Sequence, residues 1–231
     1  MSPVAAPTLR IDGSYNARVH GAPTAWLVRS ATLDTMTPAG ADTLTRLGVA
    51  LIVDLRDDAE VREPSGHDIP ILRNPLYRLP DGPPMSGALE RIYDLLLETR
   101  GSELANAVRA VADAPGPVLV HCTAGKDRTG LVVALALEAA GASRSEIIDD
   151  YVLSEPEVHR HRAGAVTEIL DSLDLDPASR ADALRLHLDS PAAAIEYALD
   201  RIAEVGGASA YLVHHGLTTG QLERLRAKAM A

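Results

Sequence analysis

The stretch Val118-Leu119-Val120-His121-Cys122-Thr123-Ala124-Gly125-Lys126-Asp127-Arg128-Thr129-Gly130 decides the reading of this chain. The short apolar run over 118–120 reads as a strand, and an apolar helical pattern follows over 131–142. Between them lies a tight loop holding the only cysteine of 231 residues. The order strand, loop, helix N-terminus turns successive backbone N–H groups towards one point and adds the positive end of a helix dipole. Arg128, six residues after Cys122, offers a planar fork that fits two oxygens of a tetrahedral anion. The loop from Cys122 to Arg128 (Thr123, Ala124, Gly125, Lys126 and Asp127 included) is therefore expected to cradle a phosphate-like dianion. Gly125 stands where the chain must turn with a conformation other residues resist. His121 is expected to orient the loop by hydrogen bonds.

Such a cradle suits phosphoryl transfer, which needs little beyond positioning and charge stabilisation. The thiolate of a cysteine is its nucleophilic form, favoured by helix N-termini and cationic neighbours. Cys122 is the candidate nucleophile, attacking phosphorus in line to give a cysteinyl-phosphate. Thr129 is the candidate donor to the departing sulfur. A nucleotide loop of the Gly-x4-Gly-Lys-[Ser/Thr] kind does not fit, because Val120 stands five before Gly125 and Asp127 follows Lys126.

The string His-Cys-x5-Arg-[Ser/Thr] resembles the signature loop of the cysteine-dependent protein tyrosine phosphatase superfamily. The fuller HCTAGKDRTG is similar to a bacterial branch of tyrosine and dual-specificity phosphatases, some of which also accept phosphoinositides. Leu51–Arg56 resembles the branch's DLR strand, and Ile148–Ser154 its DYL-S helix. The likeness runs from about Trp26 to Met230. It implies a metal-independent phosphatase that needs no cofactor. The substrate would be phosphotyrosine, phosphoserine or phosphothreonine on a protein, or a phosphoinositide. Lys126 beside Arg128 is read as a second rim charge favouring the inositol alternative. Ser14–Arg18 departs from the family's aromatic-Arg-Asp version, which argues against a role for Asn16 and Arg18 behind the site. Arg56 is read as a structural ion pair with a nearby carboxylate, reaching the loop being the alternative, and Asp54 at the strand end is read in the same way.

The leaving oxygen needs a general acid. Asp127 is the preferred candidate because the motif fixes its place. Asp81, in Pro80-Asp81-Gly82-Pro83, is the second, on a loop like the family's acid loop. Two other classes compete with the phosphatase: a phosphate-binding module without turnover, and sulfur transfer from a cysteine on an anion loop. The intact Cys122, Arg128 and Thr129 favour chemistry on phosphate. Tyr77, Tyr93 and Tyr151 are read as amphipathic packing residues, lining a pocket being the alternative.

A length of 231 residues suits one α/β domain with one sizeable core. The net charge of −10 argues against nucleic-acid binding and against adsorption to anionic membranes. A single cysteine forbids an internal disulfide and suits a reducing compartment. With no resolving cysteine nearby, the thiol should be sensitive to peroxide. Met1–Thr8 lacks the basic and apolar regions of a secretory signal. A cytoplasmic location is the expectation, export without a recognisable signal being the alternative. Neither the adjacent His214-His215 nor the i,i+2 pair His159 and His161 has metal-ligand spacing.

Along the chain, residues 1–20 read as irregular. Strands are expected at 25–29, 49–55, 71–76 and 118–121. Helices are expected from Thr37-Pro38 to Leu47, at 87–98 and at 103–114. A charged loop is expected over 57–70. From 142 to 231 the pattern is helical, with capping-box spacings at 143–146 and 218–221 and breaks at Pro156, Pro177 and Pro191. Strands alternating with helices imply a single α/β domain: a mostly parallel central sheet flanked by helices, with ligand at the strand C-terminal ends.

Overall fold

Residues 7–21, 23–61, 67–79, 84 and 87–231 are described by a computed structural model. Three apolar segments form the middle of the sheet: β2 (Leu27–Ser30), β3 (Leu51–Asp54) and β5 (Val118–His121). β1 (Arg18–His20) and β4 (Ile71–Arg73) lie at the edges, and the order is β1-β2-β5-β3-β4. β1 runs antiparallel to β2; the other pairings are parallel. β5 is inserted centrally, with His121 in register with Ser30 on one side and Asp54 on the other.

The period of two in a strand sends alternate side chains into two cores. Val28, Ile52 and Leu119 face a smaller core with Leu44 of helix α1 (Pro38–Arg46). Leu27, Val53, Val118 and Val120 face the larger core. That core is built with α2 (Leu89–Thr99), α3 (Gly101–Asp113) and α4 (Asp127–Ala140). α5 (Arg144–Val152), α8 (Ala192–Glu204), α9 (Gly207–His214) and α10 (Thr219–Met230) complete it. Every residue of α4 from Arg128 to Leu137 is buried, as befits a helix enclosed on all sides. A third, smaller cluster joins α6 (Ser154–Asp171) and α7 (Pro177–Leu188) to Ala124 of the loop.

The caps follow the sequence. Thr37 accepts from Gly40 N–H with Pro38 at the first helical position, and Asp176 with Pro177 does the same for α7. Capping boxes open α5 at Ser143 and Glu146, and α10 at Thr218 and Gln221.

Three expectations need correction. The segment 1–20 is not wholly irregular, because Arg18–His20 pairs with β2. The break expected at Pro156 falls at Leu153, between α5 and α6, and Pro156 itself sits in the first turn of α6, where its missing N–H has no intrahelical acceptor to lose. The helix after the loop begins at Asp127, four residues before its apolar pattern. The remaining boundaries differ by a few residues at each end. Among the described residues no helix is long and apolar enough to cross a membrane.

Candidate active site

The loop leaves the sheet at the C-terminal end of its central strand and enters α4 at once. Gly125 has φ +67°, and a Cβ there would lie 2.3 Å from the Ser30 carbonyl oxygen. Both the left-handed turn and the close approach to β2 demand glycine. Gly130 is required one turn on, where a Cβ would stand 2.9 Å from the Tyr151 ring.

Several of the loop's carbonyls are held from outside. Thr32 N–H donates to the Thr123 carbonyl at 3.2 Å. Asn16 Nδ2 donates to those of Ala124 and Gly125, each at 3.0 Å. Arg29 Nη2 donates to the Gly125 carbonyl at 2.7 Å. In a trans peptide the C=O and the next N–H point opposite ways. The N–H groups of Ala124, Gly125 and Lys126 are therefore turned towards the concave side. They form a nest beside the N-terminus of α4.

The residues that hold these carbonyls are themselves locked by charge. Asp150 of α5 accepts from Arg29 and, at 2.8 Å, from Arg18 Nε. Arg18 Nη1 donates to Asn16 Oδ1 at 2.6 Å, and both arginines donate to Ser154 Oγ. Burial opposes ionisation of Asp150, but the charges of Arg29 and Arg18 outweigh it and hold the carboxyl well below the usual range. Asn16 adopts φ +54°, a region that asparagine tolerates better than most residues.

Cys122 and Arg128 line one cavity of about 540 Å³, together with Thr123, Lys126 and Asp127. Cys122 is 3% exposed. The Arg128 guanidinium lies 4.4 Å from the centre of the Tyr77 ring. Its two terminal nitrogens donate to Glu60 at 2.6 and 2.7 Å, and Glu60 also accepts from Thr123 Oγ1 at 2.5 Å. Burial works against charge on both partners. The bidentate bonds outweigh it, holding Arg128 above and Glu60 below their ordinary values. Nη1 also donates to the Leu55 carbonyl at 3.4 Å, and among the described residues Nε makes no hydrogen bond.

His121 Nδ1 lies 3.3 Å from the Cys122 carbonyl and donates to it. Burial drives the imidazole to a pKa of about 4, so it stays neutral. Asp127 accepts from Tyr151 at 3.3 Å, and Tyr93 donates to Tyr151 at 2.7 Å. Burial raises both phenols well above their usual range. Arg56 pairs with Asp54 and Asp34, as an ion pair at the end of β3 should.

A model of the tyrosine phosphatase family matches residues 11–231. The chain belongs to that family. Among curated relatives of this phosphatase-family chain, it is 34% identical over 176 residues to the triple specificity protein phosphatase PtpB of Mycobacterium tuberculosis. That match covers 59% of this chain and 63% of the relative. It is 33% identical over 145 residues to a tyrosine-protein phosphatase of Nostoc commune, covering 55% of this chain and 47% of that one. The chain thus spans less than two thirds of the length of either relative. The crystal structure of Pseudomonas aeruginosa TpbA overlaps 79% of the chain and 98% of TpbA at 22% identity, with a TM-score of 0.44.

Within this family framework the expected site residues divide. Cys122, Thr123, Ala124, Lys126, Asp127 and Arg128 meet at one cavity, while Gly125 is not in its lining. Thr129 lies beneath them, its buried hydroxyl without a hydrogen-bond partner among the described residues, so it makes no bond to the Cys122 sulfur here. Asp81 lies outside the described residues. Lys126 is not a rim lysine. It is 1% exposed, and its ammonium donates to the carbonyls of Leu186 (2.9 Å) and Asp189 (2.6 Å), with Asp127 at 3.1 Å. It caps the C-terminus of α7, where a cation is favoured. Asn16 and Arg18 do stand behind the loop, contrary to the departure of their motif. Glu60 and Arg29 were not foreseen. Arg29 had a signal, a charge inside a strand buried on both faces; Glu60 sits in a segment whose charges predict only a solvated turn.

Proposed function

We propose that this chain is a phosphatase of phosphotyrosine, active also on phosphoserine or phosphothreonine, working through a cysteinyl-phosphate. The observation that carries this is the shared opening of the Cys122 thiol, the Arg128 guanidinium and the inward-turned N–H nest onto one cavity. The Cys122 thiolate attacks phosphorus, forming the S–P bond as the P–O bond to the leaving group breaks. Three N–H groups and the Nε side of Arg128 hold the equatorial oxygens, where charge builds. Asp127 delivers its proton to the leaving oxygen. Water then attacks phosphorus, the carboxylate takes its proton, and sulfur leaves as thiolate. Thr129, whose hydroxyl has no competing partner among the described residues, donates to the sulfur in that second step. Asp81 is the alternative acid. Cofactors and metals have no step assigned to them, and the proposed location is the cytoplasm.

The phosphoinositide reading loses its motive, since Lys126 is spent on α7 rather than turned to the rim. The test is hydrolysis of p-nitrophenyl phosphate with EDTA present. Wild type should turn over, and Cys122→Ser should lose at least about a thousand-fold in kcat, as expected when a nucleophile is removed. Asp127→Asn should remove one limb of the pH profile of kcat; an unchanged profile would pass the acid role to Asp81. No turnover by folded wild type would leave a binding module.

A further inference from the structure

Four cations other than histidines line the active cavity, and three have carboxylate partners. Arg56 pairs with Asp54 and Asp34, Lys126 with Asp127, and Arg128 with Glu60. Arg162 of α6 differs. Among the described residues no carboxylate pairs with it, and its charge bears on the neighbouring Tyr15. Tyr15 is stacked on His161, ring centres 4.5 Å apart, and packs into the cluster that joins α6 to Ala124 of the loop. Next to Arg162 the wall is apolar, formed by Val166, Ile169 and Leu170 one and two turns further along α6.

An arginine fork without a carboxylate, in the wall of the same cavity as Cys122, is placed to read a second anion. The apolar wall beside it suits an aromatic leaving group. The chain's net charge of −10 disfavours approach to an anionic bilayer, so a soluble substrate is favoured over a lipid. We propose that Arg162 selects phosphotyrosine peptides with an acidic side chain, carboxylate or second phosphate, next to the phosphorylated residue. This rests on the phosphatase reading above. The acidic group binds the guanidinium while Cys122 engages the phosphate, and Arg162 acts on substrate choice without touching the reacting atoms.

The experiment measures kcat/KM of the purified chain for two phosphotyrosine peptides. One has Asp and Glu flanking the phosphorylated residue; the other has Asn and Gln there. Wild type should prefer the acidic peptide by about five-fold, the worth of a partly exposed charge pair. The ratio should fall towards one at high salt, because exposed pairs are screened. Arg162→Gln should bring the ratio to one, and Arg162→Lys should restore part of it, which a merely structural role would not do. A wild-type ratio of one, or a preference that survives in Arg162→Gln, overturns the proposal. So does an Arg162→Gln effect confined to soluble inositol bisphosphates. Loss of turnover on p-nitrophenyl phosphate by the wild type would instead sink the phosphatase reading, and this proposal with it.

Discussion

Arg128 is held before any substrate arrives. Glu60 takes both terminal nitrogens and Tyr77 covers its face, so the guanidinium loses little freedom when a phosphate binds its remaining edge. Glu60 is thus a positioning group, acting through Arg128, and its removal has a distinct signature. Glu60→Gln leaves the buried charge of Arg128 without its carboxylate, at a cost of about 3 kcal/mol of stability. Thermal melts should show this loss, and inorganic phosphate should recover part of it by supplying a counter-ion. If phosphate stabilises the variant no more than the wild type, the pair is not coupled to the anion site.

At the scale of elements, the loop is shaped by segments far away in sequence. β2 supplies Arg29, the strand before it is preceded by Asn16, and α5 supplies the Asp150 that fixes both arginines. The N–H nest thus depends on carbonyls being pulled outward from behind. Asn16→Gly tests this cleanly, because glycine keeps the positive φ that alanine would strain. Loss of its two bonds to the loop should weaken phosphate-analogue inhibition about thirty-fold, at about 1 kcal/mol for each hydrogen bond. A KM and an inhibition constant both unmoved would mean the loop holds its shape alone. Lys126 makes the reciprocal link, tying the loop to the end of α7.

For the whole molecule, two buried imidazoles set the response to acid. Burial is the chief cause for both His20 and His121, and each is held near a pKa of about 4 in the fold. An unfolded histidine protonates near 6.5. The folded value is the lower one, so the unfolded chain binds more protons as pH falls. Stability is full above about pH 6.5 and is lost progressively towards pH 4. Asp150, depressed by Arg29 and Arg18, loses its contribution only at still lower pH, as its carboxyl protonates. The midpoint of thermal unfolding should therefore drop steadily between pH 6.5 and 4. A flat profile over that window would show that the two rings reach water when folded.

The local sequence determined what depends on short range. An apolar run, a lone cysteine, a glycine and an arginine six residues on predicted strand, nest and helix, because those features are set by neighbouring peptides and by side-chain chemistry. The caps at Thr37, Ser143 and Thr218 were legible for the same reason. The tertiary structure alone decided which charges face the site. Lys126, expected at the rim, turns to α7, and Glu60, from a segment expected only as a charged loop, turns to Arg128. Burial and long-range pairing choose a charge's partner, and neither is written in spacing along the chain.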